Sequence, residues 1–197
     1  TCLCMGAGIT MAQGLVRADK SAKHIAFIGD STFFHTGIPG IINAVYNGTD
    51  ITVIIVDNST TAMTGHQPHP GTGKTMMGDV TEKVNIEKVL RGCNVEFIKR
   101  ANPLDLKLAI ETVTEAVAFP KVSVVLFEAP CIAIVKPKPK SKVNEKCIGC
   151  KKCIREIGCP AISLTSNGKA IVDTNLCYGC TLCSQVCPVN AIGGCEA

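Results

Sequence analysis

Residues 147–160 read CIGCKKCIREIGCP, and residues 177–188 repeat the pattern as CYGCTLCSQVCP. Each copy has three closely spaced cysteines followed by a distal Cys-Pro pair, and similar apolar residues follow both pairs. An internal repeat of this kind predicts one small structural unit per copy. The chain opens without a recognisable signal peptide, so a disulfide framework is not expected. Clustered cysteines in such a chain indicate metal binding.

The repeat resembles the bacterial two-cluster ferredoxin over roughly residues 143–195. In that family each [4Fe–4S] cluster takes three thiolates from one copy and the distal thiolate from the other. The resemblance therefore implies two ligand sets, one of Cys147, Cys150, Cys153 and Cys187, and one of Cys177, Cys180, Cys183 and Cys159. The first copy departs from the family in having five residues, Ile154 to Gly158, before its Cys-Pro pair.

Two alternatives to this ligand assignment stay open. Local ligation would let Cys159 close the cluster of its own copy. A zinc site built from C-x2-C pairs would need only four ligands, often with histidine, but three cysteines recur in each run and all four histidines lie at or before residue 69. Cys195 is left over and is expected to be a spare thiol.

A change of composition precedes the cysteine repeat. Residues 136–142 read KPKPKSK, and alternating Lys and Pro favour an extended, semi-rigid linker. We therefore predict a first domain over residues 1–135, truncated at its N-terminal side, a linker over 136–142 and a ferredoxin-like α+β domain over 143–197. A docking site for an acidic electron carrier is the alternative interpretation of the linker.

Upstream of the linker, continuous β-branched runs alternate with segments of helical spacing. The patterns predict strands at 24–28, 51–56, 95–98 and 122–127, and helices at 9–18, 38–46, 86–91 and 104–118. This order is typical of βαβ units, so the first domain is predicted to be α/β, with a parallel sheet and helices on both faces. A long polar loop is expected from residue 59 to about residue 81.

Polar residues end the first two predicted strands. Gly29, Asp30 and Ser31 follow the first, and Asp57 and Asn58 end the second. Consecutive parallel strands share a ligand crevice at their carboxyl ends, so Asp30 and Asn58 are predicted to lie close together. Their oxygens suit Mg²⁺, and the amides after Gly29 open a helix N-terminus that favours a phosphate.

This arrangement resembles the thiamin diphosphate signature, a Gly-Asp-Gly followed about two dozen residues later by a paired Asn or Asp-Asn. Ser31 replaces the third residue of the first motif. The resemblance implies thiamin diphosphate beside Gly29 and Ser31, with Mg²⁺ on Asp30, Asn58 and the main-chain carbonyl of Thr60. An ordinary Gly-Asp turn is one alternative. An esterase is another, but it needs an Asp-x-x-His that this sequence lacks.

The loop after Asn58 looks like that of 2-oxoacid:ferredoxin oxidoreductases, because Thr64, Gly65 and Gln67 match a Thr-Gly-x-Gln ending. Over residues 1–197 the sequence resembles the C-terminal part of indolepyruvate:ferredoxin oxidoreductase α subunits, which start this region with Cys-x-Cys-Met-Gly and carry Gly-Asp-Ser-Thr-Phe-Phe-His. The resemblance makes His66 a candidate catalytic residue, with a solvated loop histidine as the alternative. It also places Cys4, Met5 and Gly6 near the thiazolium, with plain helix packing as the alternative.

This family implies coenzyme A-dependent oxidative decarboxylation of an aryl pyruvate, with electrons passing through two [4Fe–4S] clusters to ferredoxin. A pyruvate or branched-chain 2-oxoacid enzyme, a pure electron-transfer module and a non-redox thiamin enzyme with structural clusters stay open. The domain that binds the aminopyrimidine is expected upstream or on a partner chain, and a second subunit is expected.

Composition excludes two further classes of function. A net charge of +4, 4% aromatic residues and no Trp argue against a nucleic-acid partner. No apolar run reaches 18 residues, so no membrane span is expected and a cytoplasmic location is predicted.

Overall fold

The computed structural model describes residues 3–136 and 138–194, which form two compact units divided after Cys131. Three sequence-based expectations touch residues outside this description. They concern Cys2 in the Cys-x-Cys start, Pro137 in the linker and the spare Cys195.

The first unit is built on a four-stranded sheet of β1 (His24–Gly29), β2 (Ile51–Asp57), β3 (Phe97–Ala101) and β4 (Ser123–Glu128). All its strand pairs are parallel, in the order β1-β2-β4-β3. The predicted parallel sheet is confirmed. Gly29 lies opposite Val56 in the register, so β1 and β2 end side by side at the carboxyl edge of the sheet.

Helices cover both faces of this sheet, as predicted. They are α1 (Ala7–Ala18), α3 (Ile38–Tyr46), α4 (Ile86–Gly92) and α5 (Leu106–Ala118). Successive side chains of a strand point to opposite faces, so neighbouring residues of β2 serve different cores. Ile55 belongs to the larger core, to which α1, α3 and α4 contribute, while Ile54 packs with Ala116 of α5.

The helical segment that follows β1 begins earlier than its sequence pattern indicates. The prediction placed its start at Ile38, but α2 (Asp30–Thr32) follows β1 at once, and a π-helical turn (Phe33–Gly37) joins α2 to α3. Pro39 is typical of a first helical turn because it has no N–H to donate to the preceding turn. Here a wide turn precedes it instead, so Asp30 and Ser31 become the first helical residues at the edge of the sheet.

The second unit consists of two matching halves. Strand β5 (Ser141–Val143) pairs antiparallel with β8 (Ile192–Gly194), and β6 (Ile162–Leu164) pairs antiparallel with β7 (Ala170–Val172). Two short helices, α6 (Lys152–Ile157) and α7 (Leu182–Gln185), begin before the third cysteine of each copy. The strand before one cysteine copy therefore pairs with the strand after the other copy, as a ferredoxin-like fold requires.

Within the described part of the chain, no helix has both the length and the apolar character needed to span a bilayer.

Candidate functional site

Asp30 lies at the carboxyl end of β1 and is 3% exposed. Its carboxylate accepts hydrogen bonds from the main-chain N–H of Ser31 (2.8 Å to Oδ1) and of Ser59 (3.0 Å to Oδ2). The ring of His69 approaches the same Oδ2 at 3.1 Å. Three donors from three chain segments therefore fix the orientation of one buried carboxylate.

The loop after β2 is tied to the turn after β1. Besides the bond from Ser59 to Asp30, Thr61 Oγ1 donates to Ser31 Oγ at 2.9 Å. Asn58 Oδ1 accepts a hydrogen bond from the N–H of Thr60 at 3.1 Å, and Thr60 is 5% exposed. The structure thus brings Asp30, Ser31, Asn58 and Thr60 to one crevice at adjacent strand ends.

The oxygen atoms of this crevice fit a magnesium ion. The pKa of Asp30 is raised above its usual value, chiefly because burial disfavours the charged form. The hydrogen bond from the Ser31 N–H opposes this rise, and the adjoining Asp57 carboxyl adds to it. Two carboxyl groups this close favour a bound cation, since an opposite charge stabilises both in their ionised form. Asp30, Asn58 and the Thr60 carbonyl offer hard oxygen donors of the kind that Mg²⁺ takes, and Mg²⁺ usually completes its shell with phosphate and water.

His69 is the residue of this crevice that the sequence analysis missed. Its Nδ1 accepts a hydrogen bond from the N–H of Gly71 at 3.2 Å, which leaves the ring proton on Nε2 to be donated to Asp30. The ring also lies against Phe34, with the centroids 5.7 Å apart. A signal was present, because prolines on both sides of His69 stiffen that part of the loop.

The other predicted contacts of the first unit lie in different surroundings. His66 is exposed at a left-handed turn with φ 63°. Cys4 and Met5 are exposed ahead of α1. Gly6 has φ 80°, and a Cβ there would lie 2.5 Å from Thr36 Oγ1, so Gly6 packs directly against the π-helical turn. Roles for these four residues in binding or catalysis remain predictions.

In the second unit, cysteines from both copies surround one cavity. They are the three of the first copy and the distal one of the second: Cys147, Cys150, Cys153 and Cys187. The N–H of Ala170 donates to Cys147 Sγ at 3.4 Å, and the N–H of Ala191 donates to Cys187 Sγ at 3.2 Å. In the other half, the N–H of Ser141 donates to Cys177 Sγ at 3.4 Å.

This sulfur environment fits an iron–sulfur cluster. Hydrogen bonds from main-chain amides to cysteine sulfurs are a feature of such sites, where they tune the potential. Burial raises the pKa of Cys153, and the neighbouring Cys150 thiol adds to that rise. Neighbouring thiols are hard to ionise together, but they lose their protons when a metal binds them. Among the described residues, no three His, Cys, Asp or Glu side chains are placed to hold a single metal ion.

Glycine is required in both cysteine loops by close main-chain contacts. Gly149 has φ 66°, and a Cβ there would lie 2.8 Å from the carbonyl oxygen of Gly168. Gly179 has φ 70°, and its Cβ would lie 2.3 Å from the carbonyl oxygen of Pro139. Only glycine combines a left-handed backbone with this little space.

Two family models match this chain, one in each of its two compact units. Residues 1–127 match the model described as thiamine pyrophosphate enzyme, C-terminal TPP binding domain. Residues 141–193 match the model described as 4Fe-4S dicluster domain.

Curated relatives match almost the whole chain. Indolepyruvate oxidoreductase subunit IorA of Archaeoglobus fulgidus is 42% identical over 198 residues, which cover 96% of this chain and 31% of that protein. The protein of the same name from Pyrococcus horikoshii is 41% identical, covering 97% of this chain and 33% of its own length. This chain therefore spans about a third of the length of these relatives.

The fold of the first unit has a solved counterpart. A 2-oxoglutarate:ferredoxin oxidoreductase from Magnetococcus marinus, with 2-oxoglutarate, coenzyme A and succinyl-CoA bound, aligns with a TM-score of 0.59 and 17% identity. The alignment covers 67% of this chain and 47% of that chain. At that identity the likeness shows a shared fold.

Proposed function

This chain belongs to the thiamine pyrophosphate enzymes through their C-terminal TPP binding domain, and on that premise we propose that it is part of a 2-oxoacid:ferredoxin oxidoreductase. The observation that carries the proposal is the presence, in one chain, of the crevice around Asp30 and of the cavity lined by Cys147 and Cys187. The first suits a metal–diphosphate group and the second suits an electron carrier. A chain with both can couple carbon chemistry to one-electron transfer.

In the first unit, each residue of the crevice has a defined task. Asp30, Asn58 and the Thr60 carbonyl would hold Mg²⁺, and Gly29 and Ser31 would meet the diphosphate. Bound thiamin diphosphate supplies the chemistry that removes carbon dioxide from a 2-oxoacid and releases electrons. The protein contributes orientation, because His69 and Ser59 hold the Asp30 carboxylate in place before the metal arrives.

In the second unit, the cysteines would hold two [4Fe–4S] clusters, which would accept the electrons and pass them on. The cavity shared by Cys147, Cys150, Cys153 and Cys187 supports crossed ligation, in which each cluster takes its fourth thiolate from the other copy. The matching half would use Cys177, Cys180, Cys183 and Cys159. Main-chain amides aimed at the sulfurs stabilise the thiolate form that the irons require.

The substrate that we propose is an aryl pyruvate, with coenzyme A as acyl acceptor and ferredoxin as electron acceptor. The name of the curated relatives, indolepyruvate oxidoreductase subunit, supports the substrate class. Because those relatives are about three times longer than this chain, we propose that the aminopyrimidine-binding domain and a second subunit complete the active site. Magnesium dependence and a cytoplasmic location belong to the same proposal.

Substrate-dependent reduction of methyl viologen by the full-length enzyme complex tests this function. Indolepyruvate, phenylpyruvate and pyruvate are supplied in turn, with and without coenzyme A, under anaerobic conditions. Dye reduction is expected to need coenzyme A and to be fastest with the two aryl substrates. If the enzyme is loaded with thiamin diphosphate and iron and still reduces the dye with none of the three substrates, the proposal is contradicted and an electron-transfer module is favoured.

A further inference from the structure

The positive charge of this chain is concentrated in its cysteine-rich unit. Residues 132–197 contain nine Lys and Arg against four Asp and Glu, while the whole chain has a net charge of only +4. The two cysteine copies share this charge unequally. Four basic residues lie within or beside the first copy, whereas residues 174–194, which contain the second copy, have no Asp, Glu, Lys, Arg or His.

We call the basic patch the group of cationic side chains around the first copy: Lys146, Lys151, Lys152, Arg155 and Lys169. All five are exposed. Lys151 lines the cavity of the first copy, and Arg155 donates to the carbonyl of Cys150 at 3.1 Å. Lys169 donates to the carbonyl of Glu145 at 3.1 Å and precedes Ala170, whose N–H bonds Cys147 Sγ. Lys151, Arg155 and Lys169 are therefore held close to the first set of thiolates, while Lys152 lies 3.7 Å from the Glu156 carboxylate.

The first copy is also the more exposed of the two. Cys150 is exposed, while Cys180, at the same place in the second copy, is half-buried. Gly179 of the second copy is buried beneath the Pro139 carbonyl. Electron transfer between proteins slows steeply as the gap between the redox centres widens. A carrier that docks beside Cys150 would have the shorter gap.

An apolar side chain completes this surface. Ile148 is 66% exposed between the first two cysteines, with Lys146 and Lys151 close to it in the chain. An apolar centre with a charged rim is the usual composition of a transient protein interface. Charged rims raise the association rate of a partner of opposite charge, and a short-lived electron-transfer complex depends on that rate.

We propose that the basic patch, together with the exposed Ile148, is the docking site for an acidic one-electron carrier protein, and that the first cysteine copy is the electron exit of the enzyme. The proposal rests on the proposed function and goes further by assigning the surface and the direction. Each docking event moves one electron from the cluster of Cys147, Cys150, Cys153 and Cys187 to the carrier. The cluster is oxidised, the carrier is reduced, and no bond or proton changes place.

The linker lysines provide a matched control. Lys136, Lys138 and Lys140 are also exposed cations of the same unit, but they precede β5 and lie outside the basic patch. The test variant is Lys146→Gln/Lys151→Gln/Lys152→Gln, and the control is Lys136→Gln/Lys138→Gln/Lys140→Gln. Both remove three charges from the same kind of side chain, so a general effect of net charge appears equally in the two.

The affinity of the full-length, iron-loaded enzyme complex for an acidic bacterial ferredoxin is measured at several salt concentrations. The test variant is expected to bind the ferredoxin about tenfold more weakly at low salt, with a shallower salt dependence, since removing rim charges acts on association rate and screening. The control is expected to change the affinity by less than about twofold. Iron content is measured in both variants, to show that the clusters remain.

Lys151 lines the cluster cavity, so the triple variant could lose iron. The double variant Lys152→Gln/Lys169→Gln avoids this problem, because neither residue lines that cavity. Its affinity for ferredoxin is expected to fall by about three- to fivefold. Unchanged ferredoxin binding, an equal loss in the linker control, or tighter binding of duplex DNA than of ferredoxin to the patch would overturn the proposal. Failure of the proposed function looks different, because the unmodified complex would then reduce no dye with any 2-oxoacid.

Discussion

His69 Nε2 lies 3.1 Å from Asp30 Oδ2, although 39 residues separate the two in the chain. Both side chains are nearly inaccessible to solvent. Since the Gly71 N–H donates to the other ring nitrogen, His69 Nε2 is placed to donate to this carboxylate. The long loop after β2 therefore carries a positioning residue for the proposed metal ligand, as well as the Thr60 carbonyl that would bind the same ion.

We expect His69→Ala to weaken the binding of Mg²⁺–thiamin diphosphate by roughly tenfold or more, because a hydrogen bond to a charged group is worth about 1.5–3 kcal/mol. Isothermal titration calorimetry on the full-length complex measures this affinity. His24→Ala serves as the control, since His24 begins β1 at the opposite end of that strand and should leave the affinity unchanged. Equal affinities in the two variants would mean that His69 only packs against Phe34.

Asp30→Ala should abolish the affinity for Mg²⁺–thiamin diphosphate while leaving the iron content unchanged. The substitution removes the carboxylate to which Ser31, Ser59 and His69 donate, and the cysteines of the repeat lie in the other unit. Calorimetry and iron analysis of one preparation check both parts. Normal cofactor affinity would show that Gly29-Asp30-Ser31 is an ordinary turn, and loss of iron would show that the two units depend on each other.

The elements of the first unit were predictable where the pattern is local. The run of β2 is apolar and β-branched, so its burial between two layers of helices follows from the sequence. The start of the helix after β1 was not predictable in this way, because a π-helical turn has no simple periodic signature and Pro39 imitates a first turn. The role of His69 was hidden because its contact with Asp30 depends on how a long loop folds back over the sheet.

In the second unit, the resemblance to ferredoxins supplied what spacing alone left open. Nothing in the separation of Cys153 from Cys187 predicts that they share a cavity. The structure gives the physical reason, since β5 pairs with β8 and so brings the chain after the second Cys-Pro pair beside the first copy.

The third prediction is eight iron atoms per chain after anaerobic purification, from two cubanes on eight thiolates. Iron, acid-labile sulfide and zinc are measured together. Spectra of the reduced protein should show two interacting [4Fe–4S] centres. Stoichiometric zinc with little iron would end the cluster interpretation and leave the thiamin crevice as a separate finding.

The fourth prediction concerns the glycine contacts of the cysteine loops. Gly179→Ala should destabilise the second unit more than Gly158→Ala does. Both positions have positive φ, so both variants lose about 1–2 kcal/mol of stability to the left-handed backbone. Only Gly179→Ala adds a clash, with the Pro139 carbonyl, because a Cβ at Gly158 meets nothing within 4 Å. Half-lives of iron release on heating compare the two variants, and equal half-lives would contradict this packing.

The last prediction separates crossed from local ligation. Cys187→Ser should disturb the cluster of Cys147, Cys150 and Cys153, because these cysteines line one cavity with Cys187. By the symmetry of the two halves, Cys159→Ser should disturb the cluster of Cys177, Cys180 and Cys183. The N–H of Ser141 donates to Cys177 Sγ, just as the N–H of Ala170 donates to Cys147 Sγ. The first cysteine of each copy therefore accepts a hydrogen bond from the strand that precedes the other copy.

The two clusters can be told apart by combining each distal variant with the Lys146→Gln/Lys151→Gln background. Removing positive charge beside the first copy shifts the potential of the cluster nearer to it, since a nearby cation stabilises the more negative, reduced form. Under crossed ligation, the centre that Cys187→Ser alters is the one whose potential responds to the lysine substitutions, and the centre that Cys159→Ser alters is the one that does not. Local ligation gives the opposite assignment. Redox titration followed by electron paramagnetic resonance distinguishes the two, because it gives a midpoint potential for each cluster even where their signals interact.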